Sequence, residues 1–447
     1  MSSPFGRTLP PHPDLAQQKK QADVERMHEA LQHRDAQAMR TLFQSSAELR
    51  AQIDVPAFPF DSPAIVAFAD DPTIVEVLLE FGADPNKRSN WWAGGFHALH
   101  QATGRSAELL LAGGAVPDAC AAANLDRAEL LARMIADDPS RVHERGGDGK
   151  TPLHFARSRE VVDLLLAAGA DIDARDVDHR STAAEHMLDR TRGEGRYELA
   201  RHLVERGATA DIFLASALGL RDRVAAMVRT APALLDLRTG QGPYGAQPPS
   251  SYHIYFWTIG NGRSPLDTAA QFEQPETLEV MMERATPLQR LLVACRLGDV
   301  AQVRAVLREH PRALESATPA DRRALADAAW NSEATTVATM LEAGFDPRTP
   351  GHDSGTALHC AAWAGSAAAV AALLRHRDAR ALLDIRDAHY GATPLGWCCH
   401  GSLHGDTSRD HATVAKLLLE AGAVPGPDST RASELVEAEI ARWRRSH

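Results

Sequence analysis

Seven side chains able to ligate a metal or act as nucleophiles, Cys398, Cys399, His400, His404, Asp406, Asp410 and His411, fall within 14 residues. Thiolate, imidazole and carboxylate are the ligands of zinc and similar ions. His400, His404, Asp406 and His411 are therefore the metal candidates. Their spacing follows no zinc pattern, since the chain has neither CxxC nor HExxH at this place. The two cysteines also stand where small buried residues belong, and free Cys is among the most buried residue types. This reads as a surface loop backed by core cysteines, with no metal and no cofactor. A GxSxG elbow and a glycine-rich phosphate loop are absent as well, and the chain reads as a non-enzyme.

Aromatic residues offer a different chemistry. Residues 237–262 contain Tyr244, Tyr252, Tyr255, Phe256 and Trp257, five of the 24 aromatics of the chain, where even spacing would place one or two. Aromatics supply large contact area at low rotamer cost, so Tyr252, His253, Tyr255, Phe256 and Trp257 are candidate partner-binding residues. The alternation of Tyr252, Ile254 and Phe256 predicts a short strand or hairpin finger. The same alternation could instead pin the loop back onto its support. A second pair, Trp91 and Trp92, cannot fit both rings into one core from a turn, which makes them candidates too.

The elements that must carry these residues are repeats. VVDLLLAAGADID (161–173), VAKLLLEAGAVP (414–425), IVEVLLEFGADPN (74–86) and AELLLAGGAVPD (107–118) are variants of one string. Each is an apolar helix ended by Gly, which enters the left-handed conformation without a Cβ clash. KTPLHFA (150–156), GTALHCAA (355–362), ATPLGWCC (392–399) and RSPLDTAA (263–270) form a second set. Pro suits the first turn of a helix, where its missing N–H is no loss. Together the strings resemble the ankyrin repeat, whose period is near 33 residues. DAHYGATPL (387–395) matches its turn and helix start most closely. The resemblance implies an all-α ankyrin-repeat solenoid of about 12 helix pairs, short β-hairpin fingers and one aromatic-rich inserted loop. It also implies that hairpin tips and inner helices recognise a partner, which adds His179, Arg180, His389 and Tyr390 to Trp91 and Trp92. His100, His154 and His359 fill the TPLH histidine position, where the family uses the ring to tie neighbouring fingers together.

Residues 1–14 read as a disordered lead-in, 15–427 as the solenoid with insertions near 237–262 and 401–412, and 428–447 as a capping helix. Short units near the middle are expected to divide the groove loosely, into surfaces near 47–211 and 286–447. Charged residues make up 24% of the chain, with a net charge of −11. That balance argues against a general affinity for nucleic acid, which depends on counterion release by excess positive charge. Five scattered cysteines argue against a disulfide framework and for a reducing cytoplasm. The uncharged stretch 354–374 is broken at Gly365–Ser366 and reads as two short helices rather than a membrane span. The preference for Arg over Lys fits a GC-rich bacterial genome. The sequence reading is a monomeric, free-standing cytoplasmic scaffold for a protein partner. Its alternative is an enzyme or small-molecule binder whose pocket the aromatic insertion covers.

Overall fold

The computed structural model describes residues 24–31, 33–189, 194–406 and 408–446; the expected lead-in lies outside them. The chain is helical. It forms two compact units, Met1–Thr209 with Pro248–Ser251, and Ala210–Gln247 with Tyr252–His447.

In the first unit a short helix is followed by a longer one again and again. Ala64–Ala67 precedes Pro72–Glu80, Ala119–Asn124 precedes Ala128–Asp137, and Pro152–Phe155 precedes Arg159–Ala167. The second unit is again built of helix pairs, Pro265–Gln271 with Pro275–Met282 and Pro287–Arg296 with Val300–Glu309. The pairs Ala324–Trp330 with Ala334–Ala343, Ala357–Trp363 with Ala367–Leu374, and Pro394–His404 with His411–Glu420 follow. The first helix of each of these last pairs packs on the first helix of the next, and the second on the next second. Small residues allow that approach: Ala328, Ala329, Ala361 and Ala362 sit with Cys398 and Cys399 in one buried layer.

Local chemistry sets the helix ends. Ser264, Thr286 and Thr318 each precede a Pro and close a capping box with Asp267, Gln289 and Asp321, satisfying N–H groups that the first turn leaves open. Gly169 and Gly344 follow their helices at φ +93° and +95°, the left-handed region that only Gly enters without strain. Where Gly is replaced the exit changes. The helices ending before Asp138 and Ala231 leave at negative φ and run into Pro-led 3-10 turns, Pro139–His143 and Pro232–Asp236.

Three expectations are corrected. No strand ladder forms among the described residues; the fingers carry only isolated antiparallel bridges, Arg88 with His97 and Arg175 with Thr182. An aspartate clamps their tips instead: Asp176 accepts from the backbone N–H groups of His179 (3.1 Å) and Ser181 (2.7 Å). The second half of the large insertion is a helical turn, Tyr255–Thr258, and not a strand. Its inward residues are Tyr255 and Ile259, four apart, both buried, so helical spacing prevails over the brief alternation. At the C-terminus the helix is Glu434–Ser446, with Val436 and Ile440 buried. Its neighbour Leu435 is 72% exposed.

Candidate functional site: an aromatic cleft in the second unit

The helices Ala324–Trp330 and Ala357–Trp363 both end in Ala-Ala-Trp, 33 residues apart. Every earlier residue of each helix is buried, and the terminal Trp is half-buried. Equal register on stacked helices brings the two indoles together, 6.1 Å between centroids and 11° from parallel. On the next helix, Pro394–His404, the same place is taken by His400, whose ring lies 5.3 Å from Trp363. Trp397, one turn earlier, stands at 78° to Trp363 with centroids 6.5 Å apart.

Asp387 fixes the last wall. Its carboxylate accepts from the backbone N–H groups of His389 (2.9 Å), Tyr390 (2.5 Å) and Ala392 (3.0 Å), which folds the finger and projects Tyr390. It also accepts the indole N–H of Trp397 at 2.9 Å. Burial alone would raise the Asp387 pKa, but these donors hold it below its usual value. One buried carboxylate thus positions both Tyr390 and Trp397, whose rings lie 6.5 Å apart at 67°. Two glycines make room. A Cβ on Gly355 would lie 2.6 Å from the Trp397 ring, and one on Gly396 would lie 2.6 Å from the Asp428 carboxylate.

These residues enclose a cleft of about 340 Å³, walled by Trp330, Trp363, Trp397, Tyr390 and His400 and edged by Asp353 and Asp428. Asp428 Oδ2 accepts from the Thr393 backbone N–H and hydroxyl, both at 2.7 Å. Its Oδ1 is buried and has no hydrogen-bond donor. Against the pull of burial, the Thr393 donors keep the Asp428 pKa low. The phenol of Tyr390 lies 3.5 Å from Asp353, whose charge pushes the Tyr390 pKa up. Burial and the neighbouring His404 lower the pKa of His400. The lining contains two carboxylates and neither Lys nor Arg.

The residues singled out from sequence are distributed unevenly. His389 and Tyr390 are exposed at the cleft, their rings 4.5 Å apart. Trp257 is 53% exposed, whereas Tyr252 and Phe256 are half-buried and stacked at 4.4 Å. His253 and Tyr255 are buried, a correction that removes them from any contact surface. Asp211 accepts the phenol O–H of both Tyr255 and Tyr244 at 2.8 Å, and His253 packs on these two rings at 4.5 and 5.0 Å. In the first unit Trp92 is 45% exposed, while Trp91 packs edge-on against Phe60 at 5.2 Å. His179 and Arg180 are half-buried, and His179 Nδ1 lies 3.0 Å from the Ser251 hydroxyl. Trp330, Trp363 and Trp397 were missed. Their signal was the repeated Ala-Ala-Trp and a Trp directly after TPLG.

The four metal candidates do not converge. The rings of His400 and His404 lie 4.4 Å apart, tilted by 45°, Asp406 accepts from Ser408 and Arg409, and His411 Nε2 lies 2.9 Å from the Trp363 carbonyl. Among the described residues, ligand-type atoms within 4.8 Å of one another occur in the first unit, as His100–Asp118–Cys120, His154–Asp176–His186 and Asp148–Asp178–His179. Existing bonds occupy the TPLH rings. His154 Nδ1 pairs with the Thr151 hydroxyl (2.9 Å) and Nε2 donates to the Ser181 carbonyl (3.1 Å). His359 makes the same pair of bonds to Thr356 and Ala392. His100 differs, turning Nε2 to Asp118 at 2.9 Å. Cys120, Cys295, Cys360, Cys398 and Cys399 are all free and buried; burial pushes the Cys399 thiol up to about 12. No helix of the described residues is long and apolar enough to cross a membrane.

The ankyrin repeat profile matches residues 148–177. The matched segment runs from the Asp148 turn through Pro152–Phe155 and Arg159–Ala167 to the Asp176 clamp, and it supports an ankyrin-repeat protein. No curated protein matches the chain.

Proposed function

We propose that this chain is a non-catalytic scaffold that binds a protein partner, that both units are built from ankyrin repeats, and that about twelve helix pairs were laid down in all. The matched repeat supports the family reading, since ankyrin repeats generally mediate protein–protein interaction. The observation that carries the contact surface is the cleft of about 340 Å³, walled by four half-buried or exposed aromatics and buried Trp397. Convergent aromatic rings around a concavity are what interface hot spots are made of. The helices beneath hold them in place, so little ordering cost accompanies binding. His389 extends that surface; Trp257, and Trp92 on the first unit, are further exposed anchors. A bacterial cytoplasm and a monomeric state remain part of the proposal.

The test places a photo-cross-linking residue at Leu403, which is 39% exposed beside His400 and His404 on the same helix, in the native cell. We expect a polypeptide adduct that excess wild-type chain abolishes and the Trp363→Ala/Tyr390→Ala double variant does not. Adducts competed equally well by both chains would sink the cleft as the contact surface.

A further inference from the structure

The aromatic cleft has a shape and a charge that select among occupants. Its rings do not form a flat slot. Trp397 stands at 78° to Trp363 and at 67° to Tyr390, so the lining rings are set steeply to one another on either side of Trp397, around one space. A planar guanidinium stacks on a single face, whereas a round cation can touch rings that stand at steep angles. Aromatic faces carry negative quadrupole density and attract cations, most strongly where water is displaced, and ringed aromatics are the usual seat of quaternary ammonium groups. The rim adds formal charge, from exposed Asp353 and from Asp428, whose Oδ1 is buried without a donor. Arg386 is a cation near Asp428. Its Nη1 donates to the Gly391 carbonyl at 2.7 Å and lies 3.7 Å from Asp428 Oδ2, outside the lining.

We propose that the cleft binds a methylated ammonium group carried on a lysine side chain of the partner, with Trp363, Trp397 and Tyr390 as its walls and Asp353 and Asp428 as its counter-charges. This rests on the protein-partner reading of the same cleft. Methylation matters because a bare ammonium keeps three strongly hydrated N–H groups, while the walls offer π faces and few acceptors. Methyl groups remove that hydration and fill the corner between the rings.

The measurement is titration of the full chain, by calorimetry and tryptophan fluorescence. The probes are short peptides bearing trimethyl-lysine, lysine or the neutral tert-butyl isostere, then choline and its uncharged analogue 3,3-dimethylbutan-1-ol. The trimethyl-lysine peptide should bind roughly tenfold or more tighter than either other peptide, and choline should bind more weakly than that peptide but above its analogue. Trp363→Ala should lose at least about tenfold and Trp363→Phe recover part of it, while Asp353→Asn, at an exposed position, weakens binding several-fold. Equal binding of the isostere would show a merely apolar slot and overturn the proposal. Equal binding of unmodified lysine would overturn the role of methylation. Choline binding as tightly as the peptide would overturn the polypeptide source in favour of a free small cation. No onium binding by a folded chain, with the Leu403 adduct still formed and still sensitive to Trp363, would reject the ammonium seat and leave the scaffold reading standing.

Discussion

The second unit contains two aromatic clusters that use the same residue types in opposite ways. Around Asp211 the rings close on themselves. Tyr244 and Tyr255 donate their phenols to the two oxygens of that carboxylate, which also caps the helix Ile212–Ala217 through the Leu214 N–H at 2.9 Å. Phe213 meets Tyr244 edge-on at 4.9 Å, and His253 does so at 5.0 Å. Around Asp387 one carboxylate again organises the group, but it takes the Trp397 indole from behind and leaves Tyr390 65% exposed. Trp330 and Trp363 reach out half-buried beside it. Density of aromatics therefore does not separate packing from recognition. The difference lies in whether the carboxylate collects the polar ends inside, which closes a cluster, or braces the rings from below, which opens one.

The sharpest way to break that contrast is stability. Tyr255→Ala removes a fully buried ring and should cost about 4 kcal/mol, read from the urea midpoint of the full chain. Tyr255→Phe, which keeps the ring and deletes one bond to Asp211, should cost about 1 kcal/mol. If Trp363→Ala destabilised as much as Tyr255→Ala, the cleft would be core and the contrast false.

Trp397 sharpens it from the other side, because it belongs to both roles. It is 6% exposed and bonded to Asp387. Trp397→Ala should cost about 3 kcal/mol and also abolish the cleft. A stability loss below about 1 kcal/mol would show that the indole is braced and not packed.

Acid should loosen the cleft's support. His359 packs against Trp397 at 5.3 Å and donates to the Ala392 carbonyl. Burial lowers its pKa to about 4, as it does for His154 in the first unit. Each ring is neutral when folded, so the unfolded chain takes up the proton first. The stability they give is complete above about pH 6.5 and is lost as pH falls toward 4, by up to about 1.4 kcal/mol per pH unit for each ring. Urea midpoints between pH 7 and 4.5 should fall, and His359→Gln should flatten the slope. An unchanged slope would mean that His359 does not gate this region.

How far the sequence reveals all this depends on the range of the chemistry involved. Helix pairs are legible because their signals are local: Thr-Pro starts, the Gly169 and Gly344 exits and the bonds of His154 and His359 to the Thr three residues before them all act within a few residues. The buried cysteines were legible because they replace Ala in a known register. The fingers misled because an aspartate such as Asp176 or Asp387 satisfies the tip with its own side chain, making a strand ladder unnecessary. The insertion misled because Tyr252, Ile254 and Phe256 alternate while Tyr255 and Ile259 keep helical spacing, and only a distant partner, Asp211, decides between them. The cleft was hidden in plain repetition. One Trp per repeat, at Trp330 and again at Trp363, looks like the apolar face of a helix until stacking places the rings side by side.

Trp257 gives the smallest and most discriminating effect. It is the exposed member of the insertion, 53% accessible, with Phe256 edge-on at 5.2 Å and Tyr252 at 6.4 Å. Its ring is mostly accessible, so replacing it with Ala should change stability by no more than about 0.5 kcal/mol. It is also absent from the cleft lining, so affinity for the trimethyl-lysine peptide should stay within about twofold of wild type. The Leu403 adduct then becomes the informative quantity. If the partner touches only the cleft, Trp257→Ala competes for the adduct as well as wild type does. If it competes poorly while peptide affinity is unchanged, the partner also reaches the insertion, through this one ring and not through Tyr255. That result would redraw the contrast: the closed cluster would serve to hold Trp257 out, and the aromatic insertion would have two functions divided between adjacent side chains.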